Sequence, residues 1–192
     1  MLFRSSPEAR DALGLLRVRD FDLVITMARV GEMDVKAFGN EAKRIREGIP
    51  VVMLSHNTRE LATLSAGDGI DRIFVWTGDS GILLSICKLI EDEHNVENDV
   101  RDGDVQVILL VEDSRRFYSA YLPLLYKELV HQTTRLMGEG GNLHEKLLRL
   151  RARAKILLAS DMNTAKSVID RYHNKDRKST RLNSSHALSS HA

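Results

Sequence analysis

The stretch Val107-Ile108-Leu109-Leu110-Val111-Glu112-Asp113-Ser114 decides the fold class. Five aliphatic residues run straight into two adjacent carboxylates, and an amphipathic segment from Arg115 to Val130 follows at once. An unbroken aliphatic run of this length predicts a strand buried on both faces, as in a parallel sheet. Its carboxyl end is then the rim at which open α/β sheets place their sites. Two carboxylates there suit a hard cation such as Mg²⁺, which favours oxygen ligands. The competing reading is a cap, with Asp113 or Ser114 closing the amino end of the next helix.

Outward from this stretch, strand and helix patterns alternate. Ser6-Pro7-Glu8 opens a helix, with Ser6 as N-cap, Pro7 at the first helical position, and Ala9, Leu13, Leu16 and Val18 as its apolar face. Phe21–Met27 reads as a strand. Asp34 begins a helix with Val35, Phe38, Ala42 and Ile45 inside, ending near Gly48. Pro50–Ser55 is a strand, Thr58–Leu64 a short helix stopped by Gly67 and Gly69, and Ile70–Trp76 a strand. Ser80–Asp92 is a helix with Ile82, Leu83, Ile86, Leu89 and Ile90 on its inner face, and the acidic stretch from Glu91 to Asp102 reads as a linker. The pattern then restarts with a strand over Val105–Val111 and a long helix from Arg115 to Met137, broken by Gly138, Gly140 and Gly141. A helix over Asn142–Arg153 with Leu143, Leu147 and Leu150 inside, a strand over Lys155–Ala159 and a helix over Met162–Tyr172 complete it.

Such alternation predicts an α/β fold with doubly wound parallel sheets. The first part lacks an opening strand and the second stops after its second strand. The expected organisation is therefore two partial units in tandem, 1–95 and 105–175, joined by an acidic linker over 96–104.

Composition narrows the setting. The chain has 192 residues, 43% of them hydrophobic, and a formal net charge of +1, which gives no general attraction to nucleic acid or to an anionic membrane. No apolar run approaches the roughly 20 residues that span a bilayer, and the amino terminus has no signal-peptide pattern. The single cysteine, Cys87, lies in an apolar helical pattern and reads as a buried thiol in a reducing, cytoplasmic protein.

The terminal segment 176–192 has five serines, two histidines and no apolar periodicity, the composition of a disordered tail. Residues 176–186 resemble the conceptual translation of a short-read sequencing adapter, so the tail is set apart from the fold and His186 and His191 are not read as a metal site. The charged residues of the tail carry +2, which leaves −1 for the remainder, and the natural protein is expected to continue past Lys175.

The units resemble the receiver domain of bacterial response regulators. Glu112-Asp113 is similar to the acidic pair that ends the first receiver strand. Asp22–Met27 followed by Gly31-Glu32-Met33-Asp34 resembles the third strand and its loop. Pro50–Ser55 resembles the fourth strand, with Ser55 at the hydroxyl switch position, and Ile73–Trp76 resembles the fifth. At the position of the phosphoryl-accepting aspartate the chain has Met27, and at that of the phosphate-pairing lysine it has Trp76. A thioether cannot accept a phosphoryl group, so the first unit is expected to be a pseudo-receiver.

More specifically, the segments 21–34 (FDLVITMARVGEMD), 50–61 (PVVMLSHNTREL), 70–76 (IDRIFVW), 88–100 (KLIEDEHNVENDV), 105–129 (VQVILLVEDSRRFYSAYLPLLYKEL) and 147–159 (LLRLRARAKILLA) resemble the amino-terminal region of large bacterial phosphoenolpyruvate synthase-like proteins with a PEP/pyruvate-binding domain. The resemblance implies a regulatory, phosphorelay-type region of a larger protein, not an enzyme in itself. It also implies a histidine kinase or the catalytic domains of the parent protein as partners, and neither nucleic acid nor membrane. Glu112 and Asp113 would supply two of three carboxylates of a Mg²⁺ site in the full-length protein, with weak binding here because the third is missing. Two other readings stand beside it: a structural adaptor or interaction module that is never phosphorylated, and a fragment of a PEP/pyruvate-dependent phosphotransferase whose catalytic domains are absent.

Other candidates carry less. Ser55-His56 could suggest a nucleophile and base, but adjacent strand residues point to opposite faces. Gly138-Glu139-Gly140-Gly141 lacks the Lys-Ser/Thr of a phosphate loop. Arg149, Arg151, Arg153 and Lys155 read as a solvated helix end, with an acidic partner surface as the alternative. Tyr118, Tyr121 and Tyr126 read as helix packing residues.

Overall fold

The computed structural model describes residues 8–56, 66–103, 105–138 and 153–172. The helices expected over Thr58–Leu64 and Asn142–Arg153, the Ser6-Pro7 start, Arg149 and Arg151, the glycine cluster after Gly138 and the tail lie outside the described residues, save for Arg153 itself. The protein is mixed α/β with parallel sheets.

It divides into two compact units that interleave along the chain: Met1–Ile90 with Arg115–Lys127, and Glu91–Ser114 with Glu128–Ala192.

In the first unit, helix α1 (Ala9–Val18) buries Ala9, Leu13 and Leu16, spaced at i, i+4 and i+7, whereas Val18, expected on that face, is exposed. Arg46 closes the end of α1, its guanidinium donating to the carbonyl of Arg19 at 2.7 Å and pairing with Asp20. Strand β1 (Val24–Met27) leads into a small antiparallel hairpin, β2 (Arg29–Val30) and β3 (Met33–Asp34). Gly31, at φ 61°, supplies the left-handed backbone that the two-residue turn needs. Asp34 then caps helix α2 (Val35–Ile45), its carboxylate accepting the Lys36 amide at 3.1 Å. Val35, Phe38 and Ala42 are buried, as their spacing predicts.

Strands β1, β4 (Val51–Ser55) and β5 (Arg72–Val75) form a parallel sheet in the order β1-β4-β5, with Val24 opposite Val51 and Ser55 opposite Val75. The central strand β4 is buried at every residue, consistent with a parallel strand covered on both faces.

Helix α3 (Gly81–Gly103) runs far beyond the expected end at Asp92 and takes in the acidic segment that had been read as a linker. The reason is a single substitution in its buried stripe. Leu89, Asp92 and Val96 follow at i, i+3 and i+7 and all three are buried, but the middle one is a carboxylate, which interrupts the apolar pattern without interrupting the helix.

In the second unit, β6 (Val107–Val111) pairs in parallel with β7 (Lys155–Ala159), Val107 opposite Lys155 and Val111 opposite Ala159. Val107–Val111, expected to be buried on both faces, is only partly covered. It is β7 that is buried throughout, while β6 leaves Ile108 36% and Val111 51% exposed. An aliphatic run reports β propensity, but which strand is covered depends on its neighbours. Helix α4 (Arg115–Gly138) follows β6 and contains Pro123; its residues up to Lys127 belong to the first unit. A last helix, α5, spans 162–172. No helix among the described residues is long and apolar enough to cross a membrane.

Candidate functional site

Because β1, β4 and β5 run parallel, their carboxyl ends share one rim, which carries Met27, Ser55 and, just past Val75, Trp76. Met27 is partly exposed and Ser55 fully buried. The Trp76 amide donates to the carbonyl of Ser55 at 2.9 Å. His56, next to buried Ser55, is exposed and meets the Trp76 ring edge-on at 6.2 Å. The rim thus presents a thioether, a buried hydroxyl and an indole, with no carboxylate at the end of any of its strands.

Glu112 and Asp113 leave the end of β6. The Glu112 amide donates to the carbonyl of Ala159 at 3.0 Å, continuing the strand pairing by one residue. Its Oε1 accepts the Ser114 amide at 3.0 Å. The carboxylate that turns back onto the backbone ahead of α4 is therefore that of Glu112, where the sequence pointed to Asp113 or Ser114. Asp113 is exposed.

At the end of the neighbouring strand, Asp161 accepts the amides of Asn163 and Thr164, both at 2.9 Å, and the Thr164 hydroxyl at 2.6 Å. The Thr164 hydroxyl, then its amide, hold the Asp161 carboxyl below the usual carboxylate range, so this side chain serves as the cap of α5. Among the described residues no three His, Cys, Asp or Glu side chains gather as a metal-holding group.

Among the described residues, the most highly charged buried arrangement lies elsewhere in the second unit. Asp92, 0% exposed, receives both arms of the Arg153 guanidinium, Nη2 to Oδ1 at 2.7 Å and Nη1 to Oδ2 at 3.0 Å. The Ile156 amide at the start of β7 donates to the same carboxylate at 3.0 Å. Lys155 stands 3.9 Å from Asp92 and 2.7 Å from Asp99, about two turns further along α3. Arg153 and Lys155 are themselves buried, so the basic run is not a solvated helix end at these two positions. This cluster clamps α3 to β7 with a bidentate, charge-assisted geometry. Sequence reasoning missed it because its members lie some sixty residues apart; the available signal was Asp92 standing on the helical period between Leu89 and Val96.

Two tyrosines of the first unit divide as their burial dictates. Tyr121 is 42% exposed and stacks on Phe117 at 6.1 Å. Tyr118 is buried, donates to the carbonyl of Ile73 and meets Phe74 edge-on at 5.3 Å. Burial pushes the Tyr118 phenol from 10.0 up to about 12. An unfolded chain releases this proton near pH 10 and the folded one near 12, so the stabilisation is complete below pH 10 and is lost as pH rises to 12. The loss is worth roughly 2–3 kcal/mol. Urea unfolding between those pH values should show the decline in the natural chain and a flatter profile in Tyr118→Phe; equal slopes would refute the assignment.

No protein-family model matches this chain, and no curated protein or solved structure matches it.

Proposed function

We propose that this chain is a signal-input region made of two partial, receiver-like (flavodoxin-like) units, belonging to a larger, phosphoenolpyruvate synthase-like protein. The observation that carries the reading is the rim of the first sheet. Three adjacent parallel strands lead to Met27, Ser55 and, one residue past the end of β5, Trp76, which keeps the switch hydroxyl of a receiver but replaces both the phosphoryl acceptor and the lysine. Such a unit transmits a signal by what it binds, not by accepting phosphate. In the full-length protein Glu112 and Asp113 would hold Mg²⁺ with a third carboxylate from outside the described residues, and the ion would offset charge on a phosphoryl group. Charge added at these strand ends would reorder the adjacent loops and bias a neighbouring catalytic domain. A histidine kinase or those catalytic domains are the proposed partners, in a cytoplasmic setting.

The second reading, an interaction module, is favoured by one observation: the stacked Phe117 and Tyr121 rings and Leu124 lie exposed along α4.

Calorimetric titration with Mg²⁺ tests the acidic pair. Two carboxylates without a third should bind the ion weakly, and Glu112→Gln with Asp113→Asn should abolish the signal. Tight binding that survives the double substitution would contradict the assignment.

A further inference from the structure

Among the described residues strand β5 ends the sheet order β1-β4-β5, so one row of its backbone groups turns away from β4. Successive strand residues point their amides to opposite sides. The Trp76 amide turns inward to the Ser55 carbonyl, and the Val75 amide turns outward. An open edge of this kind is a template for another strand. Here it is filled by side chains of α4. The Val75 amide donates to Ser119 Oγ at 2.9 Å, and the carbonyl of Ile73 accepts the Tyr118 hydroxyl. Ser119 directs its own proton to the carbonyl of Arg115 at 2.5 Å, one helical turn back, which leaves its oxygen free to accept from β5. Both side chains are buried, Tyr118 at 5% and Ser119 at 3% exposure. The same half of α4, Arg115–Lys127, groups with the first unit although it follows β6 in the chain.

We propose that this half of α4 is a latch over the edge of β5: Tyr118 and Ser119 stand in for a neighbouring strand, and when they release, β5 pairs with β5 of a second copy of this chain. The run Ile73-Phe74-Val75-Trp76 is β-branched and aromatic throughout and carries none of the charges that keep strand edges apart. Two identical edges meeting antiparallel close a twofold dimer, which leaves neither edge open.

The test uses the whole chain carrying Tyr118→Phe and Ser119→Ala, with amide hydrogen exchange at Val75 and sedimentation over a range of concentrations. At low concentration the Val75 amide should exchange about tenfold faster, the effect of one lost hydrogen bond, while the β4 amides keep their protection. At high concentration the variant should dimerise more than the natural chain. Ser119→Thr, which keeps the hydroxyl, should behave as the natural chain. Ser119→Ala alone gives the same two readings should the double variant lose its fold. Unchanged exchange at Val75, or exchange released with no gain in association, would overturn the proposal.

Discussion

Replacing Asp92 with alanine is expected to destabilise the second unit by about 3–5 kcal/mol, the cost of leaving a buried charge without its partner. Asp92 is wholly buried and accepts from Arg153 twice and from the Ile156 amide once. Its removal takes both short charge-assisted bonds from the guanidinium, which keeps the Ala154 carbonyl at 3.3 Å and the half-exposed Glu91 at 3.9 Å, and takes the acceptor from the Ile156 amide. Lys155 keeps Asp99 at 2.7 Å and cannot compensate, because a second cation offers Arg153 no negative charge. Asp92→Asn retains an acceptor but not the charge, and should fall between the two. Replacing both partners by apolar residues of similar size, Asp92→Leu with Arg153→Met, removes the unpaired charge and should recover much of the loss. Urea unfolding of these variants measures the order. A loss below about 1 kcal/mol for Asp92→Ala, the range of an exposed pair, would show that the clamp does not hold α3 to β7.

The second large effect lies at the contact of α2 with the loop before β5. A Cβ on Gly39 would stand 2.4 Å from the carbonyl oxygen of Gly69, and one on Gly69 would stand 2.5 Å from the Asn40 amide nitrogen. Neither neighbour is a side chain that can swing away. Gly69 also has φ 89°, outside the range that side-chain-bearing residues favour. Gly69→Ala should therefore cost about 2–5 kcal/mol, combining overpacking of about 1–3 kcal/mol with a backbone penalty of about 1–2 kcal/mol. Gly48 provides the control: its φ is 76°, but a Cβ there meets nothing within 4 Å. Gly48→Ala should show the backbone penalty alone. Gly39→Ala combined with Gly69→Ala should cost less than the sum of the two, because both push apart the same pair of backbones. Thermal unfolding of the four variants decides it; equal losses for Gly48→Ala and Gly69→Ala would remove close packing from the explanation.

Much of the fold was legible because local signals agreed with one another. Asp34, with Val35, Phe38 and Ala42 behind it, specified both the cap and the buried face of α2. Lys155–Ala159 emerged as a strand with the bounds its sequence suggested. The failures share a physical cause: burial is set by partners that a linear pattern does not contain. Val107–Val111 looks like a covered strand and is partly exposed. The segment after Asp92 looks like a linker and is helix, since one core position of α3 is a carboxylate matched by Arg153. At the candidate sites, the sequence could place Met27, Ser55, Trp76, Glu112 and Asp113 at strand ends, since strand ends are local. It could not place the Asp92–Arg153–Lys155–Asp99 cluster, which exists only once α3 and β7 meet.

The proposal that this chain has receiver-like units without a complete phosphoryl-accepting site can be checked by intact-mass measurement after incubation with acetyl phosphate and Mg²⁺, and in parallel with an autophosphorylated histidine kinase. The mass should be unchanged under both conditions. A stable, acid-labile phosphoryl adduct mapped to an aspartate of this chain would contradict it.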